Sequence, residues 1–171
     1  MKLHSMARDL GALLKQRAET VAISESSTGG LVCAALLSVP GASSYFLGGG
    51  VIYTGAARHA LLELPADLPP ETRSASEPYA CLCARRIREK LAATWGLAET
   101  GASGPTGNRY GDAAGHCCLA VSGPVELVIT VETGSDQRED NMWVFAQAAL
   151  DLLARAVDGA GPAVLEDAAA G

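Results

Sequence analysis

The stretch from Thr20 to Ser38 constrains this chain more than any other. Thr20-Val21-Ala22-Ile23-Ser24 is short, partly β-branched and bounded by turn residues, so it reads as a central strand. Glu25-Ser26-Ser27-Thr28-Gly29-Gly30 follows directly, and Gly29–Ser38 reads as a helix with Leu31, Val32, Ala35 and Leu36 apolar. The hydroxyls and glycines between them therefore form a strand-to-helix turn. In an open α/β sheet such turns lie at the carboxyl ends of strands, where ligands bind.

The same reading extends along the chain. Met1–Gln16 is an amphipathic helix, with Leu3, Met6, Leu10, Leu13 and Leu14 on one face, and ends near Arg17. Gly48–Tyr53 reads as a second strand, Ala56–Leu64 as a short helix and Pro65–Arg73 as a proline-rich loop. Ser76 suits an N-cap, with Pro78 tolerated in the first turn. That helix is expected to reach Trp95, anchored by Leu82, Ile87 and Leu91. Leu97–Ala102 reads as a strand entering a second glycine-rich turn, Gly101–Gly107. Gly115–Val121 and Glu126–Glu132 read as a hairpin through Ser122-Gly123-Pro124. Arg138–Val157 closes the pattern as a helix, with Trp143, Ala146, Leu150, Leu153 and Val157 on one face. The βα alternation followed by a hairpin predicts a single three-layer α/β/α sandwich around a mixed sheet, residues 1–158. Residues 159–171 are mostly Gly, Ala and Pro with little to bury, and read as a disordered tail.

Composition excludes several classes. The net charge is -6, and no basic run is interleaved with aromatics, so the footprint of a nucleic-acid binder is absent. No apolar run approaches the ~20 residues that span a bilayer. A cytoplasmic location is the expectation, with no membrane association. The five cysteines are Cys33, Cys81, Cys83, Cys117 and Cys118. Their number is odd and their spacing suits no zinc site, so they read as buried thiols, and no metal is expected.

Glu25–Gly30 and Thr100–Gly107 carry the chemistry. Glycine lets a backbone come close to a ligand, and the helix starting near Gly29 would offer amides to an anion. This suits the phosphate of a small nucleotide. The structural alternative is that Ser26 and Thr28 merely cap the helix. Glu25 would accept hydrogen bonds from nearby hydroxyls, touch a ribose or amide, or stabilise the helix start.

Taken in order, Glu25-Ser26-Ser27-Thr28-Gly29-Gly30, Pro40-Gly41-Ala42-Ser43, Val51-Ile52-Tyr53-Thr54, Ser76-Glu77-Pro78 and Thr100-Gly101-Ala102-Ser103-Gly104-Pro105 resemble the CinA C-terminal domain, the nicotinamide mononucleotide deamidase family, over residues 5–155. The resemblance implies hydrolysis of the carboxamide of nicotinamide mononucleotide to the acid and ammonia, without metal or cofactor, by a homo-oligomer. It implies Ser43 as nucleophile, assisted by Tyr53, and places Arg58 where the family has its activating lysine. It implies that Glu25, Ser26, Ser27, Thr28, Gly29, Gly30, Gly101, Ser103, Gly104 and Arg138 hold the pyridine nucleotide.

The departures matter as much. A serine hydroxyl is a poor nucleophile until something takes its proton, and a guanidinium cannot do so at working pH. His59 is adjacent to Arg58 but points about 100° away on a helix. Asp112-Ala113-Ala114-Gly115 replaces the family's Lys-Pro-Val-Gly, and Met142 stands where a second arginine would follow Arg138. Two readings follow: a weakened or silent amidohydrolase, or a non-catalytic nucleotide- or partner-binding module on the same scaffold.

Overall fold

The structure is a computed structural model and describes residues 2–65 and 67–160. Helix α1 (Lys2–Arg17) leads into β1 (Val21–Glu25), α2 (Leu31–Leu37), β2 (Phe46–Val51) and α3 (Gly55–Leu62). Helix α4 (Glu77–Leu91) precedes β3 (Trp95–Ala102), β4 (His116–Ser122), β5 (Leu127–Glu132) and α5 (Arg138–Gly159). The strands form one mixed sheet in the order β2-β1-β3-β4-β5. β1 pairs in parallel with both β2 and β3, whereas β3–β4 and β4–β5 are antiparallel.

The chain leaves β1 towards β2 on one side and returns to β3 on the other. The carboxyl ends of β1, β2 and β3 therefore converge where the strand order reverses, the usual position of a ligand crevice. Helices α1, α2 and α5 cover one face, with Leu10, Leu14, Leu36, Phe145 and Leu153 packed on Ile23, Leu97 and Leu119. Helices α3 and α4 cover the other, around Ile52, Leu62, Tyr79, Ala84, Ala98 and Ala120. This is the expected three-layer sandwich. Among the described residues no helix is long and apolar enough to cross a membrane.

Three expectations are corrected. Helix α4 stops at Leu91, because Ala92 turns left-handed at φ 49 and donates its amide to Arg88 and Glu89. Trp95 instead opens β3, fully buried, with its indole N–H donating to Glu19 Oε2 at 2.7 Å. Leu91 is consequently exposed rather than an anchor. Trp143 is 41% exposed; it lies over a shallow groove with Leu3, Leu31 and Ala35, outside the buried stripe of α5. Helix α5 continues to Gly159, one residue into the segment read as a tail, and residues 161–171 lie outside the described residues. Of the cysteines, Cys83, Cys117 and Cys118 are buried, Cys33 and Cys81 partly so, and all are free thiols.

Gly96 shows how tightly α4 lies on the sheet. A Cβ built there would stand 2.1 Å from the Ala84 carbonyl oxygen and 2.7 Å from Arg88 Cβ. Backbone cannot yield as a side-chain tip can, so Gly96→Ala should cost about 3 kcal/mol or more by overpacking. Chemical denaturation checks this, and a midpoint within error of the natural protein would contradict it.

Candidate active site

The Glu25–Gly30 turn is filled from within. Glu25 is fully buried at the end of β1 and accepts from the amides of Gly30 at 2.9 Å, Val32 at 3.2 Å and Cys33 at 2.8 Å. Thr28 Oγ1 lies 2.7 Å from Glu25 Oε2 as well, its one proton shared between this carboxylate and that of Glu99. Glu99, on the adjacent β3, accepts from the amides of Ser26 and Thr28, both at 2.9 Å, from the Ser27 hydroxyl, and from Thr28 Oγ1 at 2.8 Å. The start of α2 thus meets its anion inside the protein. The expectation of free amides for a phosphate here is corrected: two carboxylates of the chain already take them up. Of the turn residues, Ser27 and Thr28 are buried, whereas Ser26 is half-buried. Gly29 is overlaid by the Met142 methyl group, 3.2 Å from where a Cβ would stand.

Ser26 faces an inner chamber of ≈ 220 Å³. Tyr53, Arg58, Ser74, Tyr79, Thr100 and Gly101 face it too. β1 delivers Ser26, the segment after β2 delivers Tyr53, α3 delivers Arg58, the first turn of α4 delivers Tyr79, and the end of β3 delivers Thr100. Arg58 is half-buried, and its guanidinium carbon lies 5.9 Å from the centre of the Tyr79 ring. Burial and the neighbouring Cys83 push the Tyr79 phenol well above the ordinary tyrosine range, against the opposing pull of Arg58. Arg138 ties the rim together, donating to Gly104 O at 2.7 Å and to Tyr53 Oη at 3.2 Å.

Ser43 is elsewhere. It is exposed on the 3-10 turn Ala42–Ser44, before the amino end of β2, whereas Tyr53 follows the carboxyl end. The five steps along β2 alone span about 16 Å at roughly 3.3 Å each. The expected grouping of Ser43 with Tyr53 and Arg58 is therefore corrected; the hydroxyl residues that share the chamber with them are Ser26, Thr54, Ser74 and Thr100. The Pro40–Tyr45 segment has a packing role. Lys15 Nζ donates to Pro40 O at 2.8 Å, and the buried Tyr45 donates to Leu36 O at 2.5 Å.

The second turn divides likewise. Thr100 and Gly101 line the chamber, but Ser103 and Gly104 pack against the segment that leads into α5. Gly104 has φ 114, and a Cβ there would stand 2.6 Å from Asp136 O. His59 is turned away, with Nδ1 3.2 Å from Leu64 O.

A wider outer chamber of ≈ 600 Å³ shares Tyr53, Gly55, Arg58 and Ser74 with the inner one. Arg73, Asn108, Arg109 and Tyr110 belong to its wall. Sequence reasoning missed these four along with Ser74, Tyr79 and the Thr100 side chain. One usable signal was present: a helix following a parallel strand starts at the sheet's carboxyl edge, so the Ser76–Tyr79 turn had to face the site.

His116 braces the floor from β4. Its Nδ1 lies 2.5 Å from Glu132 Oε1 and its Nε2 3.0 Å from Ala75 O. Ala75, held at φ 55, also donates its amide to Thr100 Oγ1 at 3.0 Å. Both ring nitrogens face acceptors, and only the imidazolium can donate to both. Burial pulls the imidazole down, but Glu132, the Ala75 carbonyl and Asp112 outweigh it and hold the group above its ordinary range. A raised folded value stabilises fully below the unfolded histidine pKa of ~6.5 and is lost as pH rises through the folded value. The melting temperature of the natural protein should therefore exceed that of His116→Gln most at pH 5–6, with the gap closing towards pH 9. A gap that widened with pH would contradict this.

The known proteins that resemble this chain agree with its fold. Residues 3–157 match the CinA C-terminal domain family. A CinA-like protein of Parasynechococcus marenigrum (strain WH8102) is 37% identical over 134 residues, 78% of this chain and 32% of that protein. One from Gloeobacter violaceus is 36% identical over 157 residues, 90% of this chain and 36% of that protein. The chain thus spans about a third of the length of these curated relatives. Among solved structures, the competence/damage inducible protein CihA from Agrobacterium tumefaciens superposes with a TM-score of 0.82 at 25% identity, covering 92% of this chain and 96% of that one. The competence damage-inducible protein A (ComA) from Klebsiella pneumoniae gives 0.85 at 21%, covering 91% and 97%, a likeness of fold alone. With motifs, sheet order and family match in agreement, this chain belongs to the CinA C-terminal domain family.

Proposed function

We propose that this chain binds a pyridine mononucleotide with its carboxamide in the inner chamber, and that it is a weakened or silent amidohydrolase. The chemistry would be attack of the Ser26 hydroxyl on the amide carbon, release of ammonia, and hydrolysis of the resulting ester by water. Each stage needs a group that takes a proton and returns it.

One observation carries the reading. The described lining of the inner chamber consists of hydroxyls, phenols, small or apolar residues and the Arg58 guanidinium, with no amine, imidazole or carboxylate. No lining side chain is a ready acceptor for the Ser26 proton near neutral pH, and the nearby Glu99 carboxylate is taken up by the amides of Ser26 and Thr28 and the hydroxyls of Ser27 and Thr28. Arg58 can hold an anion or polarise the amide oxygen, which is half of what the reaction requires.

The natural protein should therefore release ammonia from nicotinamide mononucleotide at close to the background rate while still binding it in a calorimeter. Binding without release selects the nucleotide-binding module as the physiological role. Ammonia release at the rate of an efficient enzyme, abolished by Ser26→Ala, would defeat the proposal.

A further inference from the structure

The outer chamber is where an anion belongs, although the glycine turns attracted that expectation. Arg58, Arg73 and Arg109 line it with one carboxylate, Asp67; with Arg73 paired to Asp112, the lining keeps an excess of one positive charge in a chain whose net charge is -6. Arg73 is the anchor of the wall. It grips Asp112 with two bonds, at 2.6 and 3.0 Å, and is neutralised by it. Its guanidinium carbon stands 4.9 Å from the Tyr110 ring centre, and that of Arg109 stands at the same distance. Both guanidinium groups thus lie against Tyr110, Arg109 also donating to Tyr110 Oη at 2.8 Å, and Arg109 is exposed.

The loop carrying Arg109 is held in place without a ligand. Asn108 Oδ1 accepts from the amides of Tyr110 at 2.9 Å and Asp112 at 3.2 Å. Asn108 Nδ2 donates to Asp112 Oδ2 at 2.7 Å. The loop is thereby pinned to the same carboxylate that holds Arg73. Such preorganisation lowers the ordering cost of binding. Neither Arg73 nor Arg109 lies in the motif pieces by which the chain resembles its family.

We propose that Arg109, at the wall of the outer chamber, grips the phosphate of a nucleotide there. This rests on the reading that the inner chamber takes the carboxamide end, and it sets the ligand's direction: amide inward, phosphate outward. Arg58 lines both chambers and marks the passage between them.

Calorimetry with nicotinamide mononucleotide, nicotinamide riboside and inorganic pyrophosphate tests it, on the natural protein, Arg109→Ala and Arg109→Lys. The mononucleotide should bind the natural protein more tightly than the riboside. Arg109→Ala should weaken mononucleotide binding roughly 10- to 100-fold, the worth of a charge-assisted contact, and leave the riboside unchanged. Arg109→Lys should restore part of the loss. If neither pyridine compound binds but pyrophosphate binds in an Arg109-dependent way, the anion site stands and the pyridine reading falls. Mononucleotide or pyrophosphate binding indifferent to Arg109→Ala, or no anion binding at all, would overturn the inference.

Discussion

Replacing Arg58 with lysine should raise ammonia release from nicotinamide mononucleotide by about 100-fold or more over the natural protein. A positioned general base contributes typically ~10²–10⁴-fold, and the guanidinium contributes none of it. Arg58 is half-buried above the Tyr79 ring, with Arg73 and Arg109 lining the adjoining chamber. Partial burial favours the neutral form of an amine, so a lysine there is driven towards the unprotonated state that strips a hydroxyl. The gain should appear in kcat more than in KM, because the change supplies a proton acceptor rather than a contact. In the Arg58→Lys background Ser26→Ala should abolish the gain and Ser43→Ala should leave it, since Ser43 lies beyond the other end of β2. The opposite pattern would show that the grouping of side chains is misjudged.

The second large effect is on stability. Glu99→Ala should lower the unfolding free energy by roughly 3–5 kcal/mol, seen as a fall in melting temperature of about 10 °C. Removing this carboxylate leaves the amides of Ser26 and Thr28 and the Ser27 hydroxyl without their acceptor in a region closed to solvent. Each orphaned donor costs ~1–3 kcal/mol, and some of that is recovered by relaxation. Glu99→Gln keeps the shape but turns one acceptor into a donor facing other donors, so it should recover only part of the loss. If Glu99→Ala melted with the natural protein, the turn would not be held from within, and the anion reading of the α2 start would revive.

Much of the scaffold was legible. β1 stood out because Val21 and Ile23 lie between turn residues, and the Ser76 cap marked the start of α4. Trp95 was misread because the helical pattern of α4 runs on past Leu91, and nothing local announces that Ala92 will turn left-handed. The site was legible only in part. That Ser26 stands after a strand and faces a crevice follows from the turn itself. That Glu99 fills this turn does not, because the β1–β3 pairing brings it there from more than seventy positions away. The separation of Ser43 from Tyr53 was within reach: ten residues containing an extended run cannot bring their ends together. The arginine wall was invisible, since Arg73 and Arg109 meet only through Tyr110 and a loop whose shape Asn108 sets.

The most direct test is a crystal structure of the natural protein with nicotinamide mononucleotide. The carboxamide should lie in the inner chamber within ~2.6–3.2 Å of the Ser26 hydroxyl, with Tyr53 and Arg58 beside it and no unprotonated side chain in reach. Nucleotide density beside Ser43, or a phosphate seated on the first amides of α2 in place of Glu25, would contradict the account.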